Sequence, residues 1–260
     1  MGEEIIQPDL PSENAFGLRT ATKADLDAIF WIVQASFPDD PGCDYKFPYR
    51  DKYPDDFKKW TRLEYEEYLN QPEKFAVLVV TVPHAADKGA GGGVTDKPVA
   101  IGVWDMSVET EPMGGGMNLC LFVIQAVSSS VRSNQNSLDH GIHERCDANP
   151  KHMETYTETM SRGFDKYFAK YGKEQAHLWM LFTHPDFRRR GFGTMVCNWG
   201  QKEAMKKGWV LTVMASPMGR ILYEYLGYKI VGSERVQVSG EDENVDIDCM
   251  MKENRQEAAA

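Results

Sequence analysis

Cysteine is scarce in this chain: five among 260 residues, odd in number and widely scattered at Cys43, Cys120, Cys146, Cys197 and Cys249. That excludes a disulfide scaffold and fits reduced thiols in a cytoplasmic protein, a nuclear one not being excluded. Long apolar runs are also missing. Nothing approaches the ~20 uncharged residues of a membrane helix, so no membrane partner is expected. The opening Met1-Gly2-Glu3-Glu4 has neither the basic nor the apolar region of a signal peptide, and the hydroxyl residue that a myristoylation signal wants is absent at Ile6. Positive charge is in deficit, 29 Lys and Arg against 39 Asp and Glu, for a net charge of −10 and a pI near 5.1. Bulk nucleic-acid binding, which runs on phosphate neutralisation, is excluded, whereas an acidic surface suits a cationic small-molecule amine.

What is present is an ordinary globular mix, 42% hydrophobic and 26% charged, which argues against disorder and for a buried core. Residues 1–14 read as a flexible leader and 253–260 as a disordered tail, enclosing a single domain over 15–252. Phe16 to Thr20 alternates like a short strand. Thr22 and Asp25 then form a capping-box-like helix start, followed by Leu26, Ile29, Phe30 and Val33 at helical spacing. Pro38, Pro41, Pro48 and Pro54 are expected to break regular structure across 38–56. A helix from about Phe57 to Asn70 leads to a buried strand, Phe75 to Val82, paired as a hairpin with Val99 to Met106. Residues 107–150 read as a surface insertion. Beyond it come a helix from His152 to Tyr171, a strand His177 to Thr183, a helix Thr194 to Lys207 and a strand Trp209 to Ala215. A short helix from Met218 to Leu226 follows, then strands from Tyr228 and Val245. This order predicts an α/β (α+β) fold.

The chemistry is concentrated in Leu181-Phe-Thr-His-Pro-Asp-Phe-Arg-Arg-Arg-Gly-Phe-Gly-Thr194. A strand ends, proline stops it, and an arginine- and glycine-rich turn runs straight into a helix. Glycine lets backbone approach a ligand closely, and the free N–H groups and dipole of a helix start favour an anion. A P-loop is excluded because no lysine precedes Thr194, and a dinucleotide fingerprint is excluded because Val196 stands where its third glycine belongs.

Arg188-x-x-Gly191-x-Gly193 resembles the pyrophosphate loop of the GNAT superfamily of N-acetyltransferases. Ala215-Ser216-Pro217-Met218-Gly219-Arg220-Ile221-Leu222-Tyr223-Glu224-Tyr225-Leu226-Gly227-Tyr228 is similar to that family's second signature. The resemblance implies a mixed, twisted sheet flanked by helices on both faces, with acetyl-CoA as co-substrate and no metal. It implies that Phe182 and Thr183 offer backbone groups to the pantetheine and acetyl carbonyl. It further implies that Arg188, Arg189, Arg190, Gly191, Phe192, Gly193 and Thr194 hold the pyrophosphate, that Ser216 touches the pantetheine arm, and that Tyr223 protonates the leaving thiolate. A phenol suits that role because its ordinary pKa of ~10 exceeds the ~8.5 of a thiol.

The expected reaction is direct attack by a primary amine on the thioester, without a covalent intermediate through Cys197. A homodimer is allowed for. The alternatives are a CoA-binding module without turnover, or an acetyltransferase acting on protein lysines or N-termini. The base is open among His184, expected to face solvent, Asp105 and Glu109. Phe30, Trp31, Phe37, Tyr45, Phe47, Tyr49 and Trp104 are weighed equally as an acceptor wall and as core. His140-x-x-His143-x-x-Cys146 matches no zinc pattern and lacks a fourth ligand.

Overall fold

The computed structural model describes residues 16–85, 94–108 and 145–254. The leader, most of the expected insertion with Glu109, His140 and His143, and the end of the tail lie outside them. Seven strands form one sheet in the order β1-β2-β3-β4-β5-β7-β6. They are β1 (Gly17–Thr20), β2 (Phe75–Ala85), β3 (Val94–Asp105), β4 (Gln175–Thr183), β5 (Val210–Ala215), β6 (Lys229–Val236) and β7 (Val245–Lys252). Every neighbouring pair is antiparallel except β4 with β5, so the sheet is mixed.

The helices are α1 (Leu26–Ser36), α2 (Pro41–Lys46), α3 (Pro54–Asn70), α4 (Pro150–Tyr167), α5 (Phe192–Lys207) and α6 (Pro217–Tyr225). Strand alternation sends Val77 and Val79 of β2 to one face of the sheet, where they pack with α1, α3 and Met153 of α4. Leu78 and Val80 turn to the other, against Phe192, Val196 and Ala204 of α5 and Tyr223 of α6. Helices therefore cover both faces. Trp104 lies on the α5 side, fully buried, with its Nε1–H donating to the Val196 carbonyl at 3.3 Å.

Prolines do not break the 38–56 segment as expected. Pro41 and Pro54 each occupy the first turn of a helix, where a fixed φ and a missing N–H cost nothing. Asp40 caps α2 by accepting from the Gly42 and Cys43 N–H groups at 2.8 and 3.3 Å. Asp25 accepts from the Thr22 N–H at 2.8 Å as the sequence suggests, and also takes a bidentate pair from Arg19 at 2.7 and 2.8 Å. That pair holds the Asp25 carboxyl below its usual range and fixes β1 to the start of α1. Residues 145–149 are not loose surface. Asp147 is fully buried against Arg145, and the Cys146 N–H donates to Asp56 at 2.6 Å, docking this stretch on the first turn of α3.

Candidate active site

The site begins where β4 and β5 part. The two strands pair from Gln175–Val210 to Leu178–Val213 and no further, so β4 runs on through Trp179–Thr183 with one edge open. Just below the fork, a buried relay staples them. Gln175 Nε2 donates to the Phe168 and Gly172 carbonyls at 3.0 and 2.9 Å, which orients its oxygen to accept from Thr212 Oγ1 at 3.0 Å. With its one proton so used, Thr212 accepts from His177 Nδ1 at 2.9 Å. The imidazole is thereby fixed as the Nδ1–H tautomer, and burial pushes its pKa down to about 3.

Which backbone groups face the open edge follows from the β3–β4 ladder. The His184 N–H donates to the Val99 carbonyl at 3.0 Å, and antiparallel bonds recur every second residue. Phe182 therefore spends its backbone on β3, so the pairing of Phe182 with Thr183 as open backbone is corrected to Leu181 with Thr183. The Thr183 carbonyl does point away from β3, since it accepts from Ser36 Oγ and Arg188 Nε, each at 3.1 Å.

Past the strand, Arg189 at φ 63° and Gly191 at φ 81° turn the chain into α5. No side chain caps this helix, whereas Asn149 caps α4 and Ser216 caps α6. The first-turn N–H groups of Phe192, Gly193 and Thr194 lack intrahelical acceptors and make an anion site with the helix dipole. The Phe192 ring is buried against Phe16, so only its backbone is on offer. The three arginines diverge. Arg188 pairs with Asp39 at 2.5 Å, and Arg190 turns back onto Phe187 and the Asp186 carbonyl. Arg190 is thus not part of the cavity wall. Arg189 is, and has no side-chain partner among the described residues.

A cavity of about 790 Å³ runs through the fork. One end is walled by residues 187–194 without Arg190, by Ser216 and by α6, with Tyr223 and the exposed Ile221 and Tyr225. Ser216 Oγ faces its own helix, accepting from the Gly219 N–H at 3.4 Å. The Tyr223 ring is buried, and that burial raises its phenol pKa well above 10, so it carries its proton at neutral pH. The other end is walled by Gly42, Cys43 and Lys46 of α2, Glu64 and Tyr68 of α3, and Tyr156, Thr157 and Met160 of α4. Glu64 takes the Tyr68 hydroxyl on Oε1 at 3.1 Å.

A GNAT acetyltransferase domain model matches residues 165–240, the stretch holding fork, loop and α6. A protein of the fungus Stachybotrys chartarum named acetyltransferase is 24% identical over 234 residues, covering 90% of this chain and 89% of its own. Both matches point to the GNAT superfamily. Solved N-acetyltransferases share the fold of this chain at low identity. The apo form of an agmatine N-acetyltransferase variant matches with a TM-score of 0.51, and a mosquito arylalkylamine N-acetyltransferase-like protein with 0.50. Each is 12% identical, with 92% of this chain and 99% of the other covered.

Several expected site residues of this acetyltransferase fall elsewhere. His184 does not face solvent: it is buried, and its ring stacks on Trp31 at 3.8 Å. Asp105 sits opposite His177, at the end of β4 away from the opening, and accepts from the Ser107 N–H. None of the seven weighed aromatics lines the cavity. Phe37, Tyr45, Phe47 and Trp104 are core, while Phe30 and Trp31 pack against it. The actual wall of Glu64, Tyr68, Tyr156 and Trp179 comes from three separate elements, and no local pattern marks it. Cys197 is buried and its thiol pushed up to about 12, unsuited to nucleophilic attack. Among the described residues no cluster could hold a metal ion, and no helix is long and apolar enough to cross a membrane.

Proposed function

We propose that this acetyltransferase moves an acetyl group from acetyl-CoA to a primary amine of a small molecule, by direct attack and with Tyr223 as general acid. The observation that carries this is the single cavity through the fork, with an anion site at one end, a protonated phenol on its wall and a carboxylate at the other. The pyrophosphate lies on the first-turn N–H groups of α5 with Arg189 beside it. The open-edge N–H groups of Leu181 and Thr183 hold the pantetheine arm and thioester carbonyl, whose developing negative charge they stabilise.

A protonated amine cannot attack, so a base is needed. Glu64 is the acceptor-side carboxylate that receives the amine proton, because Asp40 is committed to capping α2. Tyr223 then delivers its proton to the departing thiolate. The two structural neighbours are named for small amines, agmatine and an arylalkylamine, which supports a small acceptor over a protein one.

Calorimetric titration with acetyl-CoA, using ATP and NAD as controls, tests the donor. Saturable binding of acetyl-CoA alone is expected, followed by thiol release with primary amines. A folded protein that does not bind acetyl-CoA refutes this reading and favours an interaction module.

A further inference from the structure

We infer that Arg188, the first residue of the pyrophosphate-loop signature, is a positioning residue that ties the donor loop to the acceptor wall rather than a phosphate ligand. The inference rests on the acetyl-transfer reading above and assigns this arginine a different task within it. Its guanidinium is already divided between two partners: Nε donates to the Thr183 carbonyl at 3.1 Å, and Nη1 reaches Asp39 Oδ2 at 2.5 Å. The planar fork of arginine can serve both at once, which a lysine ammonium cannot. Ser36 Oγ, which also approaches the Ile32 carbonyl, reaches the same Thr183 oxygen from the C-terminal end of α1.

These contacts close a ring from Ser36 through Thr183 and Arg188 to Asp39. Asp39 ends a 3-10 turn over Phe37–Asp39, and the next residue, Asp40, caps α2. The clip therefore fixes the corner from which α2 starts. The helix in turn presents Gly42, Cys43 and Lys46 to the acceptor end of the cavity. The anion site needs none of this, being made of backbone N–H groups from the start of α5 and of Arg189.

The test uses the full-length protein, with acetyl-CoA affinity measured by calorimetry. Steady-state kinetics with agmatine and with 2-phenylethylamine follow, for Arg188→Gln, Asp39→Asn and their combination. Both single variants should raise the amine KM about fivefold, the loss of one partly exposed ion pair. In both, kcat should stay within about twofold and acetyl-CoA Kd within about threefold. The double variant should be no worse than either single one, because both remove the same link. A tenfold or greater loss of acetyl-CoA affinity in Arg188→Gln alone would make Arg188 a phosphate ligand and overturn the inference. So would an unchanged amine KM in Asp39→Asn. If the wild type binds acetyl-CoA but acetylates neither amine, the small-amine reading fails. The clip is then judged by hydrogen exchange of the α2 amides, expected to quicken in both single variants and overturned by unchanged rates.

Discussion

Gly200→Ala sets two effects of known sign against each other. In an exposed helix the change would gain about 1 kcal/mol of helix propensity. Here a Cβ on Gly200 would lie 2.2, 2.3 and 2.6 Å from Cζ2, Cε2 and Cη2 of Trp104. Carbon pairs are at rest near 3.5–4.0 Å, so α5 and β3 must separate by about 1.3 Å or the indole must turn. Turning it sacrifices the bond from Nε1 to the Val196 carbonyl, worth about 1 kcal/mol, in a ring with no exposed surface. Overpacking of this kind costs about 1–3 kcal/mol, so the clash wins by about 1–3 kcal/mol. For a domain of this size that lowers Tm by roughly 2–12 °C. Because α5 carries the anion site at its start, acetyl-CoA affinity should weaken as well. Differential scanning calorimetry decides the stability question, and adding Trp104→Phe, which removes the clashing benzo ring, should make the second change cost less than it does alone. An unchanged or higher Tm for Gly200→Ala would refute the packing argument.

A Cβ on Gly191 would meet no protein atom within 4 Å, so the cost of Gly191→Glu is a left-handed φ and a negative charge at the anion site. Calorimetry should show acetyl-CoA binding abolished with Tm within a few degrees of wild type, and retained affinity would move the site elsewhere. Tyr223→Phe should leave acetyl-CoA Kd unchanged and lower kcat about 100-fold, the smaller end of general-acid effects; full turnover removes it as the acid. Glu64→Gln should make the rate depend on the neutral fraction of amine, so that log kcat/KM climbs by about one per pH unit through pH 7–9, whereas an unaltered profile assigns the base elsewhere. His177 is held at about 3 in the folded state against an ordinary value of ~6.5. Its contribution is intact above pH 6.5 and falls away as pH drops toward 3, at up to ~1.4 kcal/mol per pH unit. Denaturant titrations of His177→Gln should show a correspondingly flatter decline over that range, and parallel curves would contradict it.

The sequence by itself determined the second half of the molecule, from the strand at His177 to the end of α6. There each element is adjacent to the next, and strand, turn and helix starts are written in local chemistry. Pro185 stops β4, Gly191 permits the turn into α5, Gly208 ends that helix at φ 69°, and Ser216-Pro217 starts α6.

Tertiary structure alone decided how that half is used. The fork depends on β4 and β5 parting after Leu178 and Val213 while β5 stays paired with β7 through Ala215, a fact of pairing that neither strand's residues announce. Whether Phe182 or Leu181 offers its backbone depends on ladder register, which shifts meaning with every residue. The three arginines are alike in sequence, yet Arg188 finds Asp39, 149 positions away, Arg190 finds Phe187, and only Arg189 keeps its charge for the cavity. The acceptor wall joins Glu64, Tyr156 and Trp179 from three elements. Side chains brought together by long-range packing leave no periodic trace, because each is positioned by its own element for that element's burial.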